Sequence, residues 1–318
     1  MKWYKQTTLA ILVQATALVL GQSGMPTNVF TNGLVQALNN LNAHTLGEIV
    51  KEVPEIFETY LGRNNSPVTL IAPLNSAFYN SGISQLAPAK LQQLLSYHIL
   101  DGWTPYTDGR YIVPSFFIRS RDHSSQSQKV VVDVTHDGAK INISTALKTL
   151  AVEGRTTYMN VHIWTVPEFV GMPGDFFDTL SILGLGDVAD FVTDSLLKQD
   201  IRSMYGLTAF VPTSQALSED VYAQSRTDDE HREVVLRHFL TNGSMFYSPE
   251  LVDGLSLETL EGSCVAIVEK PDGMKQVVGH DGYTTANILR SDILLSNGVM
   301  HVSGFPLSCL SNLTLQDY

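Results

Sequence analysis

Short apolar runs that end sharply alternate along the chain with helical stripes. Val68 to Ala72 is rich in β-branched residues and reads as a buried strand. Pro73 ends it, because proline cannot donate to a strand ladder. Asn75 stands where a helix N-cap belongs, and Ala77 and Phe78 open that helix's apolar face. Ahead of this strand–corner–helix unit, Leu34, Leu38 and Leu41 share one helical face. Leu46, Ile49 and Val50 start a second helix, which Pro54 interrupts or restarts. Gly62 to Pro67 reads as a turn. Beyond the corner, Leu91, Leu94 and Leu95 fall at i, i+3, i+4 and lead into Tyr97-His98. Tyr106 to Ser120 carries no assignable period, and Arg119 to Lys129 reads as a polar surface loop. Val130 to Val134 and Lys140 to Ser144 form strands about the turn His136-Asp137-Gly138, and Val161 to Val166 closes the pattern.

The pattern then starts again. Leu207 to Leu217 repeats the strand and corner, with Pro212 placed 139 residues after Pro73 and Ser214 at the capping place of Asn75. His98 pairs with His238 at an offset of 140, and His162 with His301 at 139. Three anchors in one order at a nearly constant offset point to a tandem duplication of an ordinary-sized domain. Pro167, Gly171, Pro173 and Gly174 cluster at the boundary. The predicted limits are 22–170 and 171–312, with a short tail at 313–318. In the second half, Thr227 to Leu236 reads as a helix with acidic residues in its first turn. Pro271-Asp272-Gly273 marks a hairpin, and Ser296-Asn297-Gly298 a turn into Val299 to Val302. Helices come early in each repeat and strands late, which predicts α+β rather than alternating β/α.

The net charge of −12 argues against nucleic acid or an anionic membrane as the main partner. Lys2, Lys5 and the apolar run Leu9 to Leu20 resemble a secretory signal, with cleavage after Gly21. The run is short for a membrane span, which needs about 20 apolar residues. Four Asn-x-Ser/Thr sequons, at Asn64, Asn142, Asn242 and Asn312, fit a secreted glycoprotein. The two cysteines, Cys264 and Cys309, have two readings. One is a disulfide closing a long loop, which the secretory context favours; the other is a pair of buried thiols.

Thr69-Leu70-Ile71-Ala72-Pro73-Leu74-Asn75-Ser76-Ala77-Phe78, Tyr97-His98 and Asn297-Gly298-Val299-Met300-His301-Val302 together resemble the signatures of the fasciclin domain. The likeness spans about residues 30 to 310, and the overall make-up resembles small secreted fungal fasciclin-like proteins with two such domains. It implies a β-wedge or sandwich with helices packed beside it, no cofactor, and a role in adhesion, matrix or cell-wall attachment. In animal members the Tyr-His region is implicated in integrin binding. Carried over, that falls on Tyr97 and His98, and on Arg237 and His238, where arginine replaces the tyrosine. Neither repeat keeps the family's terminal aspartate: the first ends Ile163-Trp164-Thr165 and the second Val302-Ser303-Gly304.

Catalytic patterns are missing from the sequence. It contains no G-x-S-x-G elbow, no H-E-x-x-H, no P-loop and no G-x-G-x-x-G. Asp122-His123-Ser124 lists triad residue types, but neighbours in sequence cannot form the relay. The paired histidines read as rings satisfying backbone groups near a strand rather than as a metal site or general base. Asp228-Asp229-Glu230 reads as a solvated helix N-terminus, since the alternating ligands of a calcium loop are missing. The expected protein is therefore a secreted, non-catalytic fasciclin-type glycoprotein. Its expected partners are cell-surface or cell-wall glycans or proteins. The runner-up is a vacuolar or secretory-pathway scaffold, and a hydrolase with an unrecognised site stands behind both.

Overall fold

A computed structural model describes residues 27–62, 66–79, 81–102, 107–118, 127–219, 227–240 and 245–307. The described chain divides into two compact units that change over at Met172 and Pro173. The signal-like residues 1–21, the tail and the segment holding Asp122-His123-Ser124 lie outside the described residues.

The first unit opens on helices α1 (Thr27–Asn40), α2 (His44–Glu52) and α3 (Pro54–Leu61). Pro54 is the first residue of α3, where its missing N–H costs nothing. Strand β1 (Val68–Pro73), helix α4 (Pro88–Tyr97) and the short β2 (Ile99–Leu100) follow. Then come β3 (Gly109–Ile118), β4 (Ser127–Thr135), β5 (Lys140–Ser144), β6 (Thr149–Ala151), β7 (Gly154–Tyr158) and β8 (Val161–Val166). Their order in the sheet is β6-β5-β4-β3-β2-β1-β8-β7.

The second unit repeats the plan with α5 (Phe176–Ile182), α6 (Gly186–Asp194), α7 (Lys198–Ser203), β9 (Leu207–Pro212), α8 (Ser214–Glu219) and α9 (Asp228–Arg237). Its strands β10 (Phe239–Leu240), β11 (Ser256–Glu258), β12 (Cys264–Glu269), β13 (Lys275–Val278), β14 (Thr285–Leu294) and β15 (Gly298–Ser303) complete a sheet ordered β10-β9-β15-β14-β13-β12-β11. Both units are α+β, with helices leading and strands following.

Each sheet is built around one parallel pair between the core strand and the closing strand: β1 with β8, and β9 with β15. The other strand pairs among the described residues are antiparallel. The parallel pair is buried on both faces, so its sequence is a continuous run rather than an alternation. Val68, Leu70, Ala72, Val161 and Ile163 pack on Leu34, Leu38, Leu46, Phe57 and Leu61 of the helices. Ile71, Trp164 and Val166 face the other way, onto Leu100, Val130, Val132 and Ile143. In the second unit Leu207, Ala209, Val211 and Met300 meet Phe176, Leu180 and Ile201, while Phe210 meets Leu240, Val265 and Ile267.

The backbone register corrects one alignment drawn from the sequence. Thr69 stands opposite His162 and Ile71 opposite Trp164, whereas Thr208 stands opposite Val299 and Phe210 opposite His301. His301 therefore occupies the station of Trp164, and Val299 that of His162. The second repeat is two residues shorter between its core and closing strands. A slip of two preserves side-chain parity, so the histidines still look matched. At the true offset, Asn160 matches Asn297. Asn160 Nδ2 donates to Leu61 O at 3.2 Å and Ser66 O at 2.8 Å. Asn297 Nδ2 donates to Ile201 O at 3.0 Å and Met204 O at 2.9 Å. Each asparagine ties the end of the third helix to the start of the closing strand.

The caps differ from expectation too. Asn75 opens a 3-10 turn, Asn75–Phe78, but does not cap it. Its Oδ1 accepts from Thr45 N at 2.9 Å and Thr45 Oγ1 at 3.1 Å, so it satisfies an orphan donor in the first turn of α2. Ser214 does not cap α8. The residue before it does, Thr213 Oγ1 accepting from Ala216 N at 3.2 Å. Ser214 Oγ is buried and makes no hydrogen bond among the described residues, and α6 has no side-chain cap. The sequence leaves Tyr106 to Ser120 unassigned; it holds β3, and β4 begins inside the polar stretch read as a loop.

Removing the Asn297 amide leaves two helix-end carbonyls unpaired. Asn297→Ala is expected to lower the unfolding free energy by about 1–3 kcal/mol. Urea titration checks this, and an unchanged midpoint at unchanged slope would remove the asparagine from its role.

Candidate functional site

Helices α4 and α9 are each followed by a C-cap histidine. His98 Nδ1–H donates to Leu94 O at 2.8 Å, and its Nε2 accepts from Val170 N–H at 3.0 Å. His238 does the same with Val234 O at 2.8 Å and Leu307 N–H at 2.9 Å. Both rings are buried. Each is a clip from a helix end to the chain just beyond the closing strand. One nitrogen donates and the other accepts, so the ring must be neutral. Burial drives the His98 pKa down to about 4, against a smaller upward push from the Leu94 hydrogen bond. His301 is fully buried, bonds Phe246 O through Nε2 at 2.9 Å and stacks on Phe210. His162 is partly exposed, and burial lowers its pKa below the usual histidine value.

The residue before each clip differs between the units. Tyr97 is 2% exposed, its hydroxyl donates to Lys129 O at 3.1 Å, and its ring meets Phe117 edge-on. At the matching place Arg237, its side chain 14% exposed, pairs with carboxylates. Its Nη2 lies 3.4 Å from Glu261 Oε1 and 3.8 Å from Glu233 Oε2. Arg237 borders a cleft of about 190 Å³. Glu261, Ser263, His280, Asp281 and Thr284 form its polar wall, and Val265 and Leu307 its apolar part. Burial alone would raise the Glu261 carboxyl, but hydrogen bonds from Ser263 and Arg237 outweigh it and hold the group below its usual value. Within the wall, Glu261 is cross-braced by Arg237 and by the Ser263 N–H. Of the four residues carried over from the Tyr-His signature, Tyr97, His98 and His238 are buried and Arg237 lines this cleft. Glu261, His280, Asp281 and Thr284 have no counterpart in the sequence reading. The one signal toward them was the departure from tyrosine at Arg237.

Asn142 sits on β5 opposite Asp133, partly exposed. Beside it Ser144 Oγ donates to Asp133, which also holds Arg110 Nε at 2.7 Å. Asn64, Asn242 and Asn312 lie outside the described residues, as does Cys309; Cys264 is exposed on β12. Asp228, Asp229 and Glu230 form the first turn of α9, with a capping box between Thr227 and Glu230. Among the described residues no group of three or more His, Cys, Asp or Glu side chains is placed to hold a metal ion. No described helix is long and apolar enough to cross a membrane.

The family model of the fasciclin domain matches residues 32–164 and 184–303. Among solved structures, the chain is similar to a FAS1 domain pair from the insect cell adhesion molecule fasciclin I. The identity is 16% and the TM-score 0.44, over 86% of this chain and 99% of that one. No curated protein matches the chain.

The histidine clip sets a pH dependence. His98 binds its proton more weakly folded, at about 4, than unfolded, at 6.5. Its contribution is therefore complete above pH 6.5 and is lost as pH falls through 4, by about 3 kcal/mol in all. Urea unfolding from pH 7 to 4 is expected to show this decline and His98→Gln to flatten it. Parallel curves for the two proteins would overturn the assignment.

Proposed function

Because the chain belongs to the fasciclin domain family, we propose that it is a secreted, non-catalytic adhesion module that binds cell-surface or cell-wall components. The observation that carries this reading is the match of the fasciclin domain to both repeats, each with its own core. Secretion rests on the signal-like residues 1–21 and the four sequons. Two binding modules on one chain turn a second weak contact into an intramolecular event, which raises avidity without any new contact. Within the Tyr-His elements, Tyr97, His98 and His238 act by holding the surface in shape. Arg237 is the one able to meet a ligand.

The net charge of −12 works against ionic attraction to an anionic surface. Adhesion of this protein therefore depends on short-range contacts rather than on steering. The test is to incubate the glycosylated full-length chain with intact cells and isolated wall polysaccharide. Retention is expected, and it is expected to hold or rise as salt increases from about 0.15 M to about 1 M, where screening shortens from roughly 8 to 3 Å. Failure to be retained on any of these surfaces would sink the reading. Retention that collapses with salt would replace short-range contacts by ionic capture.

A further inference from the structure

We infer that the Arg237 cleft of the second unit binds one neutral pyranose ring; this rests on the adhesion reading above and names its ligand class. Size is the first argument. About 190 Å³ is below the roughly 300–1,000 Å³ of drug-sized pockets and suits a single ring.

Charge is the second. Arg237 lies within 4 Å of two carboxylates, Glu261 at 3.4 Å and Glu233 at 3.8 Å, so its charge is already answered. A phosphate or carboxylate ligand would have to displace them. Asp281 adds a further negative charge to the wall. A cationic ligand would meet the guanidinium. A neutral hydroxyl-bearing ligand avoids both conflicts. Each of its hydroxyls donates and accepts, which suits N–H donors standing beside carboxylate acceptors.

Shape is the third. Val265 and Leu307, both buried, close the cleft on its apolar side. Tyr283, on the turn between the wall residues Asp281 and Thr284, is 82% exposed. That turn is held in place. Asp281 Oδ1 accepts from Tyr283 N at 3.0 Å and Thr284 N at 2.9 Å, and Oδ2 from Thr284 Oγ1 at 2.7 Å. Gly279 N donates to Thr284 O at 2.8 Å across its base. A turn held rigid beside the cleft, carrying an exposed aromatic side chain, binds without first being ordered. The ring comes from the terminus of a wall polysaccharide or of a protein-linked glycan; the chemistry is shared.

The test titrates the full-length protein with methyl glycosides of glucose, galactose, mannose and N-acetylglucosamine, read by saturation-transfer NMR and calorimetry. Glucuronate and inorganic phosphate run beside them. A neutral glycoside is expected to bind. Tyr283→Ala, a surface change that leaves the core intact, is expected to weaken it about tenfold or more, and Tyr283→Trp to restore it. Arg237→Gln, checked for folding by urea titration, is expected to abolish it. β-Glucan oligosaccharides and released N-glycans then separate the two sources by which one competes better. Binding unmoved by the Tyr283 and Arg237 changes would overturn the cleft assignment. So would tighter binding of glucuronate or phosphate, or retention on cells with no glycoside bound. Glycoside binding in the cleft without retention on cells would leave the assignment standing and remove the adhesion reading instead.

Discussion

The parallel pairing of core strand with closing strand is the constraint on which the rest of each unit depends. It joins segments far apart in sequence, Val68 to Val161 and Leu207 to Gly298, and it splits the interior into a helical side and a sheet side. A pair buried on both faces has no face to give to water, so nearly every side chain in it must be apolar or internally bonded. Thr69 and Thr208 meet that demand by bonding Gly102 O and Phe246 N–H. At matching stations His301 meets it by bonding Phe246 O, while Trp164 keeps its indole N–H buried without an acceptor among the described residues.

Around that pair the two units keep the same polar fasteners. The amides of Asn160 and Asn297 hold the helix that precedes the core strand, and His98 and His238 hold the chain that follows the closing strand. These fasteners are backbone-directed, which explains why they persist while the side chains around them change. The units diverge at the helix end next to the clip. Tyr97 turns into the core, and Arg237 turns toward Glu261 at the edge of a cleft. The first unit closes the shared element with a buried phenol; the second replaces it with a guanidinium paired to carboxylates.

The α+β class and the duplication were legible because they rest on local signals. Proline ends β1 and β9, apolar residues recur at helical spacing, and Pro271-Asp272-Gly273 makes the hairpin between β12 and β13. What was not legible rests on distance. Asn160 bonds carbonyls more than 90 residues away, so its role has no local trace. Asn75 fits an N-cap by position, yet tertiary packing brings α2 within reach of its side chain. Strand β3 was hidden by Pro114, which argues against a central strand; the register shift between Pro114 and Ile118 absorbs it. In the site, the histidines were readable as backbone-satisfying residues. The cleft wall was not, because Glu261 and Asp281 come from two separate turns.

Because the central pair joins the first and last strands of each repeat, neither sheet can close until almost the whole repeat has left the ribosome. Contacts of such long sequence separation slow folding, since loop-closure entropy is lost before any of them forms. The first repeat can complete its pair while the second is still being made. A chain stopped before Val161 would carry β1 with its hydrogen-bonding edge unpaired, an open template for association with other chains. The feature that makes each unit compact thus makes its birth the vulnerable moment.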